Sequence, residues 1–364
     1  MWGIFSLRIG SKFMVVLNGY DLIKEVLADD FSDRPLTVFD LGLRGKALQT
    51  VGSQRFKNMF KLHSVFQRIG SKVIALLYGY ELIKEILVHR ARDFTDRPVT
   101  VIDLVNDTPK CGIFGSSGKV WKEQRTVSLH ILRNFGLGKT LSADKIQKEL
   151  HHYIQHLSVN TEKPIDILPM TNGSISNNIC SILLGRRYLP GDLFHIKETE
   201  RGVKEIFQLF DVCIEKCPRS ERLECFLTEY LKEQKKREQS GVTMTMDERN
   251  LKMIFSDLFA AGSETTSMTI YWFVLYMLHH PDVQKKVFDE INEHVGTESE
   301  PNIRDKQNLT YLNAAIMETQ RLASIVPNSV PRTCHSDMQV RGYTIRKDAL
   351  ILPCLDSVLH DSQI

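Results

Sequence analysis

The stretch FSDLFAAGSETTSMTIYWFVLYMLHHP, residues 255–281, constrains the fold most. It is several times longer than an average strand of about 5–6 residues. Its many large apolar side chains need burial, and Pro281 gives it a firm stop. A helix of this length runs for about 40 Å at 1.5 Å per residue. The rest of the chain must therefore wrap around it. With 364 residues, 42% of them hydrophobic, there is enough material to do so. The middle of the stretch is odd, because Gly262, Ser263, Glu264, Thr265, Thr266 and Ser267 put polar groups on every side of it. One reading makes Ser263 the N-cap of a new helix. The preceding ERNLKMIFSDLFAA is itself helix-like, so a continuous helix with a local defect fits both flanks better. Gly262 costs such a helix about 1 kcal/mol against alanine. Thr265 lies four residues after Ala261, so its hydroxyl is placed to bond that carbonyl and compete with the ladder. The expected result is an opened groove in which an alcohol stands beside a carboxylate, an arrangement suited to moving protons in a dry pocket.

The flanking sequence is mostly helical. GKVWKEQRTVSLHILRNFG carries Trp121, Leu129 and Leu132 at helical spacing. DKIQKELHHYIQHLS is amphipathic, with Ile146, Leu150, Tyr153 and Leu157 expected on its buried face. SISNNICSILLG closes on Gly185, ECFLTEYLKEQKKREQSG ends in a solvated charged terminus, and PDVQKKVFDEINEHVG starts on proline. YLNAAIMETQRLAS is a further helix, and MQVRGYTIRKDALILP alternates like a small sheet. The fold class is mainly α with a small β part.

An internal repeat precedes all of this. RIGSKFMVVLNGYDLIKEVLADDFSDRPLTVFDL, from Arg8 to Leu41, recurs as RIGSKVIALLYGYELIKEILVHRARDFTDRPVTVIDL, from Arg68 to Leu104. Each copy reads as a strand, then a helix through LIKE, then a loop at DRP. Two copies are too few for a solenoid. Residues 1–60 are read as an extra strand–helix copy and residues 61–364 as the main domain.

Several functions are excluded or weakened. A net charge of +3 implies no nucleic-acid partner. Seven cysteines without tight spacing argue against a disulfide framework and for a reducing compartment. No apolar run of about 18 residues and no signal-peptide layout occurs, so the chain reads as soluble. GIFGSSGKV lacks the spacing of a phosphate loop, and Val120 replaces its hydroxyl residue. Glu149, His152 and His156 share a helical face that reads as solvated rather than metal-binding, and Cys213 and Cys217 lack a completing pair.

Two further pairs carry possible chemistry. Glu318 and Arg321 in METQR are spaced to pair on one helix, and apolar Leu312, Ala315, Ile316 and Leu322 around them favour partial burial as a structural clamp. Trp121 and Arg125 in WKEQR share a helical face, as either an exposed cation–π pair or a clamp for an anion.

In this order the motifs resemble the cytochrome P450 superfamily, specifically its animal microsomal family-2-like group. DLFAAGSETTSMTIYW resembles the oxygen-activation helix, YLNAAIMETQR the Glu-x-x-Arg helix, and VWKEQR with LRNFGLGK the helix supporting the haem propionates. SVPRTCHSDMQVRGYTIRKDALILPCLDSVLHD is similar to the segment that follows. The resemblance implies an incomplete cytochrome P450 fold with haem as cofactor. It implies that Glu264 and Thr265 are the acid–alcohol pair delivering protons at the haem. Ala261 and Gly262 would form the groove facing oxygen and substrate. Trp121, Arg125 and Arg332 would meet the haem propionates, and Glu318 and Arg321 would form the clamp beneath the haem. Gly112, Ile113, Phe114, Val326 and Val330 fall in segments that line substrate pockets. The implied reaction inserts one oxygen atom into an apolar small molecule, with electrons from NADPH through NADPH-cytochrome P450 reductase, at the endoplasmic reticulum membrane.

Departures accompany the resemblance. Such proteins hold haem iron through a cysteine thiolate in a Phe-x-x-Gly-x-Arg-x-Cys-x-Gly segment. Residues 1–364 contain no such segment; Phe135 and Gly138 echo its first half, and Cys334 and Cys354 lie in other motifs. The amino-terminal anchor is not present either, and the stretch between Gly185 and Ala261 is short for the family. The expectation is a truncated, partly duplicated relative or an imperfect gene model: a monooxygenase by lineage that is inactive as this chain, or else a non-catalytic fragment acting, if at all, by binding, with the cytosol as the alternative to the membrane.

Overall fold

The computed structural model describes residues 3–9, 12–18, 64–69, 72–98, 110–135, 140–159, 164–185, 225–347 and 349–361. The helix and loop of the first repeat copy, Gly138, Cys213, Cys217 and most of the short stretch after Gly185 lie outside these residues. The chain divides into two compact units: Met1–Thr95 with Ser324–Ile364, and Asp96–Ala323.

The strand-bearing unit begins with two antiparallel hairpins. β1 (Gly3–Ile9) pairs with β2 (Lys12–Asn18), and β3 (Ser64–Ile69) pairs with β4 (Lys72–Leu77). Their registers are the same after an offset of 60: Ile4 faces Leu17 as Ser64 faces Leu77. Each repeat copy holds the one full strand the sequence suggested, β2 or β4, and the partner strand, β1 or β3, lies mostly before the repeat and enters it only at Arg8–Ile9 or Arg68–Ile69. α1 (Tyr80–Lys84) follows Gly79, whose φ of 81° is one that side chains resist, and runs into a π-helical turn at Glu85–His89. At the other end of the chain, β5 (Met338–Val340) and β6 (Tyr343–Ile345) form a hairpin, and β7 (Leu350–Pro353) leads to α9 (Asp356–Leu359), α2 to α8 belonging to the other unit. β7 does not join that hairpin. It lies parallel to β4, with Ile74 facing Leu350 and Leu77 facing Pro353, so the sheet runs β3–β4–β7. Ala75, Leu77, Leu82, Ile86, Phe94, Ile345 and Ile351 form the core beneath it.

The helical unit contains α2 (Gly118–Asn134), α3 (Thr140–Val159), α4 (Leu168–Leu184), α5 (Phe226–Gln239), α6 (Glu248–His279), α7 (Pro281–His294) and α8 (Thr310–Ala323). Their ends follow local chemistry. Gly185 closes α4 at φ 69°. Asp247 caps α6 by accepting the Asn250 N–H at 2.7 Å. Glu290 of α7 accepts the Tyr311 and Leu312 N–H groups at 2.7 and 2.8 Å and so caps α8 from outside. The core joins Val127 and Ile131 of α2, Leu183 of α4, Phe226 and Tyr230 of α5, and Leu251, Ile254 and Phe255 of α6.

Two expectations need correction. α6 is one unbroken α-helix, continuous as both flanks suggested, but the expected local defect does not interrupt it. On α3 the buried face is rotated from the one expected. Ile146 and Leu150 are exposed, Tyr153 and Leu157 are half-buried, and Glu149 is buried. Tyr153 turns inward because its hydroxyl meets Thr171 Oγ1 of α4 at 2.9 Å. Glu149 is thus no part of a solvated face; Asn177 Nδ2 of α4 donates to it at 3.5 Å. His152 and His156 are exposed, and no metal-binding cluster occurs among the described residues.

Candidate active site

Three hydroxyls inside α6 are satisfied by the helix itself. Thr265 Oγ1 donates to Ala261 O at 2.7 Å, Ser267 Oγ to Ser263 O at 2.7 Å, and Thr269 Oγ1 to Thr265 O at 2.8 Å. Back-bonding of this kind lets polar side chains sit in an apolar helix without an outside partner. Ser263 is the exception, since its Oγ is buried without a hydrogen bond. Glu264 and Thr265 are half-buried, side by side on this helix.

Gly262 has a packing role that sequence reasoning did not reach. A Cβ built on it would stand 2.7 Å from Ile179 Cδ1 and 3.1 Å from Ile179 Cγ1 of α4. Its missing side chain is the space into which α4 leans. Ala261, next to it, is exposed.

The loop Gly112–Phe114 is strapped to α6. Asp257 Oδ2 accepts the N–H groups of Ile113 and Phe114 at 2.7 and 2.9 Å, and Asn250 Oδ1 accepts that of Gly112 at 3.0 Å. Gly112 sits at φ 71°, and a Cβ there would fall 2.5 Å from Asp257 Oδ2 and 2.9 Å from Met253 Cβ. Ser116 Oγ closes the turn onto Gly112 O. Asp257 and Asn250 escaped the sequence reading. The only signal was two polar residues seven apart, and so on one helical face, with the other polar residues of the run, Lys252 and Ser256, on the opposite side.

A second polar network holds the chain before α6. Glu123 Oε2 accepts from Thr245 N and Oγ1 at 2.7 and 2.8 Å, and Arg237 Nη1 donates to Glu123 Oε1 at 2.8 Å. Burial works to raise the Glu123 carboxyl, but the Thr245 hydrogen bonds and Arg237 outweigh it and hold the group below its ordinary value. Gln124 donates to Thr245 O and accepts from the buried Tyr230 hydroxyl at 2.8 Å.

The remaining candidates are placed as follows. The Arg125 guanidinium stands over the Trp121 ring, 5.6 Å from its centroid, with Arg125 exposed. Glu318 and Arg321 form a bidentate pair at 2.6 and 2.7 Å, but their side chains are 54% and 42% exposed. Glu318 is exposed and Arg321 half-buried, so the expected partial burial is met at Arg321 only. In the strand-bearing unit, Arg332 Nη1 donates to Phe94 O at 3.0 Å, while its buried Nε has no partner. Burial lowers the pKa of this guanidinium. Val326 and Val330 are half-buried in the same unit, with Val326 O accepting from Ser329 N at 3.1 Å.

A carboxylate and an alcohol side by side on a long, mostly half-buried helix, a loop strapped to that helix and a Glu-x-x-Arg pair on α8 make up a largely helical scaffold. The family pattern described as Cytochrome P450 matches residues 35–211 and 188–364, and the chain belongs to that family. It is similar to cytochrome P450 2U1 of Bos taurus, 30% identical over 338 residues, which are 81% of this chain and 62% of that protein. It is also similar to cytochrome P450 2J2 of Homo sapiens, 31% identical over 348 residues, 85% of this chain and 68% of that protein. Cytochrome P450 2E1 of Mesocricetus auratus is 30% identical over 374 residues, 90% of this chain and 72% of that protein. The chain thus spans less than two thirds of the length of the first of these.

Haem is the cofactor of this family, and the residues present fit it in part. The orphaned, buried Arg332 Nε suits an anionic group such as a carboxylate. The axial thiolate is not met among the described cysteines. Cys180, Cys225 and Cys334 are buried in packed interiors, with Cys334 Sγ 3.4 Å from Arg346 O, and Cys111 and Cys354 are half-buried.

Proposed function

We propose that residues 1–364 carry the proton-delivery and positioning half of a haem-thiolate monooxygenase acting on an apolar organic substrate. The observation that carries this reading is the Thr265 hydroxyl, 2.7 Å from Ala261 O, beside Glu264 on an unbroken helix. Because the Thr265 proton is committed to Ala261 O, the oxygen turns its lone pairs outward. There it accepts a hydrogen bond from water or a reacting group, and it donates only by letting go of the carbonyl. Glu264 supplies the exchangeable proton next to it. Asp257 and Asn250 fix the Gly112–Phe114 loop two helical turns away and so give a substrate pocket a rigid wall. Arg332 would meet a carboxylate of bound haem, which supplies the oxygen chemistry, and Trp121 with Arg125 form a cation–π pair of a kind that also holds an anion. NADPH-cytochrome P450 reductase is the proposed electron donor, and the endoplasmic reticulum membrane the proposed location. No helix among the described residues is long and apolar enough to cross a membrane.

These residues do not complete the reaction by themselves, because no cysteine in them stands in the thiolate segment. Reconstitution with haem, reduction and addition of carbon monoxide tests this. The expected spectrum lacks a thiolate-type Soret band. Such a band from residues 1–364 overturns the proposal.

A further inference from the structure

Two of the described hairpins share the repeat, and only one of them, β3–β4, has a third strand. β4 is the central strand of the β3–β4–β7 sheet, while β1 and β2 pair only with each other among the described strands. A lone two-stranded hairpin is marginally stable in water, so β1–β2 gains by finding a third strand.

We propose that β2 is an interchangeable strand for the β4 position, so that the first repeat copy can replace the second against β7 of the same chain. The two hairpins share one register, which puts Met14, Val15, Val16 and Leu17 where Ile74, Ala75, Leu76 and Leu77 face Leu350, Ile351, Leu352 and Pro353. The sequence beyond β2 repeats the groups that seat copy 2. Gly79, at φ 81°, donates its N–H to Ser357 Oγ at 3.0 Å, and Gly19 is its counterpart. Buried Leu82 and Ile83 have Leu22 and Ile23, and Glu85, which accepts from Arg341 Nε at 2.8 Å, has Glu25.

Two differences make copy 2 the resident. Ala75 is fully buried, and Val15 must fit two more methyl groups into that space. Arg90 latches copy 2 by donating to Gln339 O at 2.6 Å and to Asp93 at 3.1 Å. Copy 1 is three residues shorter at this point and reads Ala28, Asp29, Asp30, with no arginine.

The test uses the full chain. Ala75→Asp puts an unpaired charge into the resident strand. Disulfide yield between Val16→Cys and Leu352→Cys reports copy 1 in place, and yield between Leu76→Cys and Leu352→Cys reports copy 2. Ala75→Asp is expected to raise the first yield at least tenfold within single chains and to leave the unit protease-resistant. Val15→Asp alone is expected to be silent, and the two together to abolish resistance. The proposal fails if Ala75→Asp is as damaging as the pair, if the first yield does not rise, or if the cross-link joins two molecules.

Discussion

Replacing Gly262 by alanine sets two opposing terms against each other. Alanine inside a helix is favoured over glycine by about 1 kcal/mol. The new Cβ would lie 2.7 Å from Ile179 Cδ1 and 3.1 Å from Cγ1. Carbon atoms prefer about 3.5–4.0 Å, so both contacts are overlaps. Overpacking of this kind costs about 1–3 kcal/mol unless the neighbour moves. Ile179 is half-buried and packs against the helical core, so its rotation is not free of cost. Gly262→Ala alone should therefore be neutral to destabilising by about 2 kcal/mol. In an Ile179→Ala background both clashing atoms are gone, and the same change should stabilise by about 1 kcal/mol. The expected coupling is about 1–3 kcal/mol, well beyond the roughly 0.5 kcal/mol scatter of independent sites. Urea unfolding of the four proteins, followed by helical circular dichroism, measures it. If Gly262→Ala has the same effect in both backgrounds within that scatter, the close approach of α4 is not what Gly262 serves. The case for a packing glycine then collapses.

Other perturbations follow from the same contacts. Asp257→Ala leaves two backbone N–H groups without their acceptor, at about 1–3 kcal/mol each if they stay dry. Amide exchange at Ile113 and Phe114 should quicken at least tenfold, and unchanged exchange would refute the strap. Glu123→Gln should cost about 1–3 kcal/mol at neutral pH by weakening the Thr245 and Arg237 contacts. The Glu123 carboxyl lies below its ordinary value of 4.5, so its contribution is full above that pH and is lost as pH falls through the lower folded value. The variant should therefore flatten the acid limb of the stability curve, and an acid limb identical to that of the parent would count against the network. Glu318→Ala should cost no more than about 0.5 kcal/mol, because the pair is open to water. A loss above about 2 kcal/mol in thermal unfolding would show that it acts as a buried clamp.

The helices were legible because their signals are local. Pro281 starts α7, Gly185 ends α4, and the spacing of Thr265 after Ala261 foretold a bond that is present at 2.7 Å. The sheet was legible only in part. Residues 338–353 alternate as strands should, yet nothing in them says that Leu350–Pro353 pairs with Lys72–Leu77 rather than with Tyr343–Ile345. Parallel pairing joins segments far apart in sequence, and periodicity within a segment is silent on its partner. The site shows the same division. Glu264 and Thr265 were visible as neighbours in the sequence. Asp257 and the Gly112 loop, 145 positions apart, were visible only once folding had brought them together.

α3 shows why an apolar face is not the same thing as a buried face. Ile146, Leu150 and Ile154 recur every four residues, a pattern that predicts burial, yet they are 51%, 37% and 53% exposed. The helix instead turns Glu149 and Tyr153 towards α4, where Asn177 and Thr171 receive them. A buried carboxyl group and a half-buried phenol need hydrogen-bond partners, and α4 supplies them at the rotation observed. Apolar side chains are non-directional and tolerate a wider range of rotations. The orientation of α3 is thus set by two polar contacts rather than by its apolar stripe. Glu149→Leu should release that constraint and let Ile146 and Leu150 turn inward. Cysteine labelling at positions 146 and 150, slower in the Glu149→Leu background than in the parent, is the expected result. Equal labelling rates would show that something other than the polar pair fixes the rotation.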